Sequence, residues 1–491
     1  MLYNNPRILE INTRVWLKKK KINSINDVPD SEINEWVDLG FDYIWLMGVW
    51  KINKEIISKY CFEPGLVLLY NETLKDWDKS DVIGSPYAIS EYTINPDIGT
   101  ESEFLRFKDR LNSAGLKLIV DFVSNHLSIG TDLLKTNKDL FLPADENLYK
   151  NDPVTYFISP YNTSEYFTHG RDPFFLAWQD TVQINYFNPS ARIFMIKVLK
   201  KISSLADGVR CDMAMLILNN VFMNTWIGPI KKFGFKKPEN EFWAEAISTI
   251  KGIKKDFVFI AEAYWNLEWQ LQQLGFDFTY DKTLLDRLST DDIRGVKEHL
   301  KAEKDFQIRS VRFIENHDEP RCTARLGKDK SLAAATVIST IRGMIFFNDG
   351  QFQGKKIKLP VQIGREPFER IDERIQCYYY KLLRITKSKI FRYGEWKQLE
   401  ALSVNYDDLS NENLFVWQWI YENQSKLVAI NYSNSTSRCR VKFLVPENKM
   451  IINLYDELNN ESYERSTEEI LEQGLFIELK AFSSHIFSFE F

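Results

Sequence analysis

Apolar residues gather along this 491-residue chain in short, nearly continuous runs, separated by longer amphipathic or polar stretches. Eight runs stand out, at 8–16, 43–47, 118–121, 208–212, 257–260, 276–278, 311–314 and 344–347. Strands with one wet face would alternate apolar and polar positions; continuous runs are the pattern of strands buried on both faces. Helical periods lie between them, among them 104–116, closing at Gly115, then 192–205 and 331–342. Strands alternating with helices predict βαβ units in an α/β fold, and eight of them predict a (β/α)8 TIM barrel.

Two stretches depart from that rhythm. Residues 127–190 carry Pro143, Pro153, Pro160 and Pro173 with many aromatics. They are too long for a plain loop and predict an inserted domain after strand three. From about 395 the helices vanish. Runs at 415–419, 427–430, 440–444, 476–479 and 485–489 predict a C-terminal antiparallel β-sandwich. The expected organisation is barrel at 1–126 and 191–394, insertion at 127–190 and sandwich at 395–491. The run Lys18 to Lys21 is expected to be a solvated surface turn.

Charge narrows the partners. With 63 basic and 68 acidic residues the net charge is −5, so nothing favours binding to nucleic acid phosphates. Five scattered cysteines without a CxxC pair indicate neither a disulfide framework nor a zinc site. The start, Met1 to Pro6, lacks the basic-then-apolar pattern of a secretory signal, and no run of about 18 apolar residues predicts a membrane helix. A cytoplasmic protein without membrane contact is expected. Aromatics make up 14% of the chain, enough to supply flat platforms for the apolar faces of sugar rings as well as a core.

Chemistry concentrates at the strand ends. Strand three ends Asp121-Phe122-Val123-Ser124-Asn125-His126, and strand four ends Arg210-Cys211-Asp212. Strand five runs into Glu262-Ala263-Tyr264-Trp265, and strand seven into Glu315-Asn316-His317-Asp318. In a parallel barrel all C-terminal strand ends share one face, and that face hosts the active site. Glycosidic cleavage needs such a set: an ionised carboxylate beside the anomeric carbon and a carboxylic acid beside the leaving oxygen. Arg210 and Asp212 share a strand face, so the guanidinium is expected beside the carboxylate, keeping it charged. Glu262, between two alanines and near two aromatics, is expected to be desolvated and to stay protonated near neutrality.

These segments resemble those of the α-amylase superfamily of retaining glycoside hydrolases. Residues 121–126 resemble D-x-V-x-N-H, 208–212 resemble G-[FV]-R-x-D, 260–263 resemble the acid/base segment, and 313–318 resemble [FV]-x-x-N-H-D. Gly84 to Ile89 is similar to the segment after strand two whose tyrosine stacks on the sugar. The resemblance covers about residues 8–390 and implies an enzyme cleaving α-glucosidic bonds of α-glucans or oligosaccharides. It implies Asp212 as nucleophile, Glu262 as acid/base and Asp318 as a transition-state stabiliser, with Tyr87, His126, Arg210 and His317 binding substrate. Asp121 and Asn125 are expected to be structural. The chemistry needs no cofactor. A structural calcium at Asn125, facing the insertion, stays open because no partnering carboxylate is identifiable.

The departures concern specificity. Where many relatives carry a Lys-His pair after the nucleophile, this chain has Met213-Ala214-Met215-Leu216. The stretch after strand eight, Asn348 to Gly354 followed by Leu359-Pro360-Val361-Gln362, is also unusual. Together these leave two alternatives to hydrolysis: transfer of the glycosyl group to a sugar or phosphate, and a catalytically silent glycan-binding barrel. Trp178, Trp265 and Trp269 are candidates for subsites, and Cys211 and Cys322 are expected to be inert packing.

Overall fold

The computed structural model describes residues 4–446 and 449–491. Eight strands, β1 (Arg7–Asn12), β2 (Tyr43–Met47), β3 (Lys117–Val123), β4 (Gly208–Asp212), β5 (Val258–Ala261), β6 (Phe278–Tyr280), β7 (Ser310–Arg312) and β8 (Met344–Asn348), close a parallel barrel in sequence order. Every residue of β2, β4, β5 and β8 is buried, as their continuous apolar runs require. Closure is direct: Leu9 of β1 lies opposite Phe347 on one side and Ile44 on the other. Arg210 of β4 lies opposite Asp121 of β3 and Ile260 of β5. That register brings the β3, β4 and β5 ends to one level. No helix among the described residues is long and apolar enough to cross a membrane.

The first apolar run does not stay a strand. It ends at Asn12, and Thr13–Lys20 is helical, burying Val15, Trp16 and Leu17. Lys18, Lys19 and Lys20 form its last turn, where cations complement the helix dipole, and Lys21 ends it with φ 57°. They are exposed, as expected, and each also pairs with a carboxylate: Lys18 with Asp81 (3.6 Å), Lys19 with Glu366 (2.9 Å) and Lys20 with Glu32. The sixth strand begins at Phe278, where the run of Phe276 to Phe278 ends.

After β3, the two ends of the excursion pair antiparallel, His126–Ser128 with Thr181–Gln183. Between them a small sheet orders Pro143–Ala144, Tyr166–Thr168 and Tyr156–Ile158. The C-terminal strands are β9 (Glu395–Gln398), β10 (Leu414–Tyr421), β11 (Gln424–Asn431), β12 (Ser437–Val441), β13 (Ile451–Asp456), β14 (Glu461–Ser466), β15 (Leu475–Leu479) and β16 (Ser484–Glu490). They form a six-stranded antiparallel sheet, β9-β10-β11-β16-β13-β14, covered by the pair β12-β15. Leu414, Leu427, Cys439 and Ile477 fill the space between the two sheets. Trp417, Trp419, Val428 and Ile430 point the other way and join the barrel's own core. Alternation along β10 and β11 thus serves two cores at once.

Candidate active site

A cavity of about 830 Å³ opens at the C-terminal end of the strands, and Tyr87, His126, Asp212, Glu262 and Asp318 all line it. Arg210 lies beneath, fully buried, on β4. Its Nη1 donates to Asp212 Oδ1 (2.6 Å), and its Nη2 lies 2.7 Å from Glu262 Oε2. One guanidinium therefore bridges the two carboxylates, which makes them close neighbours. Asp121 stands 3.7 Å from the same Nη1. The rings of Trp45, Tyr87 and Tyr280 surround the guanidinium carbon at 5.1, 5.6 and 5.7 Å.

The carboxyls differ in their surroundings and so in their protonation. Glu262 is pushed up to about 7, chiefly by burial and then by the charges of Asp212 and Asp318, against the opposing pull of Arg210. Its Oε1 accepts from the Tyr264 hydroxyl (2.8 Å) and its Oε2 from the Met213 N–H (2.7 Å). Burial works to raise Asp318 too, but the neighbouring His317 cation, with help from Arg210 and Lys358, outweighs it and holds the carboxyl below the usual range. His317 is the hub of that side. Its Nε2 lies 2.9 Å from Asp318 Oδ2 and 2.7 Å from the Tyr87 hydroxyl, and its Nδ1 lies 2.5 Å from Glu10 Oε1. Burial disfavours its cation, but Asp318 and Glu10 raise it well above its ordinary value. The Tyr87 ring stacks on it at 5.4 Å. His126 goes the other way: burial lowers it to about 4, so it is a neutral imidazole, with the Trp178 ring at 5.1 Å.

All seven residues singled out from the sequence thus meet around one pocket. Trp178 and Trp265 line it as well, whereas Trp269 instead lies against Phe306 (6.4 Å). Cys211 and Cys322 are buried in packing. Two participants escape sequence reading. Glu10 sits mid-strand in β1, where its charge amid Ile8, Leu9 and Ile11 was the available signal. Lys358 donates to the Asp318 carbonyl from the long loop after β8, while Tyr264, expected from the sequence beside Glu262, donates its hydroxyl hydrogen to it.

The fold raises calcium at Asn125, and the side chains there do not fit it. Asn125 Oδ1 accepts from Gln183 Nε2 (3.0 Å), and the same amide donates to the Asn125 carbonyl (2.8 Å). An amide N–H faces the oxygen a cation would need. Among the described residues no group of three or more His, Cys, Asp or Glu could hold a metal.

Comparison with known proteins identifies the family. The family model described as "Alpha amylase, catalytic domain" matches residues 36–366. "Alpha-amylase 3" of Dictyoglomus thermophilum is 24% identical over 310 residues, 58% of this chain and 57% of that protein. "Probable oligo-1,6-glucosidase 2" of Bacillus subtilis is 23% identical over 320 residues, 56% and 55% of the two. The chain spans little more than half the length of these curated relatives. Among solved structures, the maltogenic alpha-amylase AmyB from Thermotoga neapolitana superposes with a TM-score of 0.70 at 20% identity over 99% of both chains. The alpha-amylase from Geobacillus thermoleovorans, complexed with acarbose, gives 0.68 at 18% identity over 100% of this chain and 99% of that one. These structures share the fold, and the model match spans well over half of the sequence: the chain belongs to the α-amylase catalytic-domain family.

Proposed function

We propose that the protein is a retaining glycoside hydrolase acting on α-glucosidic bonds of α-glucans or oligosaccharides. One observation carries the reading. Asp212 and Glu262 share a single buried guanidinium, and burial pushes Glu262 up to about 7. A close pair with one member protonated is what double displacement needs, the two carboxyls of a retaining enzyme standing only about 5–5.5 Å apart. In the first step Glu262 protonates the leaving oxygen as Asp212 attacks the anomeric carbon, giving a β-linked glycosyl ester. In the second, ionised Glu262 takes a proton from water, which attacks the same carbon, displaces the Asp212 carboxylate and restores the α configuration. Asp318, kept charged by His317, accepts hydrogen bonds from sugar hydroxyls as positive charge grows on the ring. Tyr87 floors the sugar beside it and His126 completes the grip, while Arg210 beneath supports the two carboxylates.

The family resemblance at the strand ends supports this reading, and the missing Lys-His pair after Asp212 points to short substrates rather than polymer. The test is a panel of α-glucosides, maltooligosaccharides and soluble starch, with product anomers followed by NMR, alone and with added sugar or phosphate acceptors. The α-anomer should form first, and kcat/KM per bond should be higher on short oligosaccharides than on starch. Asp212→Asn should lower turnover by at least about 10⁴-fold, because an amide cannot form the ester. An initial β-anomer, or an Asp212→Asn enzyme near wild-type rate, would sink the mechanism. Starch cleaved many-fold faster would overturn the chain-length reading, and a dominant acceptor product would replace hydrolysis by transfer.

A further inference from the structure

The cavity wall is asymmetric. On the arc running from the insertion to the loop after β5, Phe175, Trp178, Met213, Tyr264 and Trp265 stand among the polar Asp172, Asp180, Thr181 and Asn266. On the arc from β5 round to β7 stand polar groups, among them Glu268, Lys282 and Asp286. The apolar arc continues out to the rim. Phe174, Phe175 and Leu176 are 73, 71 and 78% exposed, three consecutive large apolar side chains held out to solvent. Single exposed apolar residues need no explanation; a contiguous patch at a cavity mouth marks a binding surface. The Phe174 ring meets Trp265 edge-on across the mouth, with centroids 5.2 Å apart. Both sides of that contact are fixed from behind. Asp172 Oδ1 accepts the Phe174 N–H (2.7 Å), turning the loop. Trp265 and Asn266 adopt left-handed backbone, φ 65° and 60°, a conformation that non-glycine residues rarely take.

The position of this arc gives it a role. Glu262 is the proton donor in the reading above, so the leaving group must lie on its side of the scissile bond. The groups directly flanking Glu262 are Met213, whose N–H it accepts, and Tyr264, whose hydroxyl it accepts. Their remaining surface, with Phe175 and Trp265 beyond, offers a leaving group carbon contacts.

We infer that the leaving-group side of this pocket is a hydrophobic aglycone site, and that the protein cleaves α-glucosides carrying alkyl or aryl aglycones. The inference deepens the proposed hydrolase function and rests on it. Aliphatic alcohols differ little as leaving groups, so an alkyl series isolates binding from chemistry. The experiment measures kcat/KM on methyl, propyl, butyl and hexyl α-glucosides, with maltose and maltotriose in parallel. Burial of a methylene is worth about a fourfold gain at most. In a partly open site kcat/KM should rise about twofold per methylene. In the Phe175→Ser/Trp265→Ser double variant the slope should fall below about 1.3-fold per methylene. The slope is a ratio within one enzyme, so it does not depend on how much activity that variant keeps.

A flat alkyl series with maltotriose still cleaved overturns the inference and leaves the hydrolase standing; the rim patch would then be a docking face or a sugar platform. A steep series that the double variant retains overturns the assignment to these residues. Cleavage of neither alkyl glucosides nor maltooligosaccharides overturns the hydrolase reading and this one with it.

Discussion

Glu10 shows how much of the site depends on a residue far from the reacting atoms. Its carboxylate holds His317 Nδ1, while the opposite ring nitrogen faces Asp318 and Tyr87. Removing the charge weakens the hold on the His317 cation, and with it the cation beside Asp318. Glu10→Gln should reduce kcat/KM about 10- to 100-fold, the usual weight of a hydrogen bond to a charged group. It should also add a loss of activity on the alkaline side, because imidazole then deprotonates at lower pH. A merely structural role would lower the rate without moving the profile. Glu262 sets the main alkaline limb. A carboxyl raised to about 7 is protonated below that pH and ionised above it, and the acid form is the one the first step needs. On a non-ionising glucoside kcat/KM should therefore fall tenfold per pH unit above about 7. A profile level to pH 9 would mean that Glu262 is not the proton donor.

At the scale of the element, β4 matters most, because it carries both Arg210 and Asp212 between β3 and β5. Gly208 begins it, and a Cβ there would meet the Val258 carbonyl oxygen and Ile119 Cδ1, each at 2.6 Å. Absence of a side chain lets three strands approach closely enough for Arg210 to reach carboxylates on both sides. Gly208→Ala should cost about 1–3 kcal/mol through overpacking, visible as a lower Tm. It should also lower kcat more than it raises KM, since small displacements of a bond-forming pair act on the transition state. An unchanged Tm and kcat would show that β4 can shift freely. The insertion is tied at the next strand end by the Gln183 amide on Asn125, which places His126 and Trp178 against the pocket.

At the scale of the whole molecule, barrel and C-terminal sheet share a core rather than merely touch. The Trp419 indole donates to the Thr340 carbonyl (2.7 Å) and packs on Phe391 at 5.7 Å. The Tyr432 hydroxyl donates to the Leu288 carbonyl (2.9 Å). Trp419→Ala leaves a cavity and an unpaired carbonyl and should cost about 3–5 kcal/mol. In thermal unfolding the sheet and the barrel should melt together in the wild type, with Tm markedly lower in Trp419→Ala. Two separate transitions, with only the first moved by the substitution, would show that the sheet folds independently of the barrel.

The chain alone determined the barrel and the strand ends, for a local reason. Burial on both faces writes a continuous apolar run, and the polar residues that break the run mark where a strand leaves the core, as at Asp212 and Glu262. Where the run continued past the strand, local pattern misled: Val15, Trp16 and Leu17 are as apolar as a strand but belong to a helix packed on the barrel. What only the tertiary structure decided is which groups meet. Glu10 and His317 lie 307 positions apart, and Lys358 reaches Asp318 from a loop with no periodicity to read. The same holds for the contact of Phe174 with Trp265 and for the amide of Gln183 on Asn125. Periodicity reports which way a side chain faces on its own strand or helix. Closing the barrel fixes which faces converge: burial then pushes Glu262 up, while the His317 cation beside Asp318 outweighs the same burial and holds that carboxyl down.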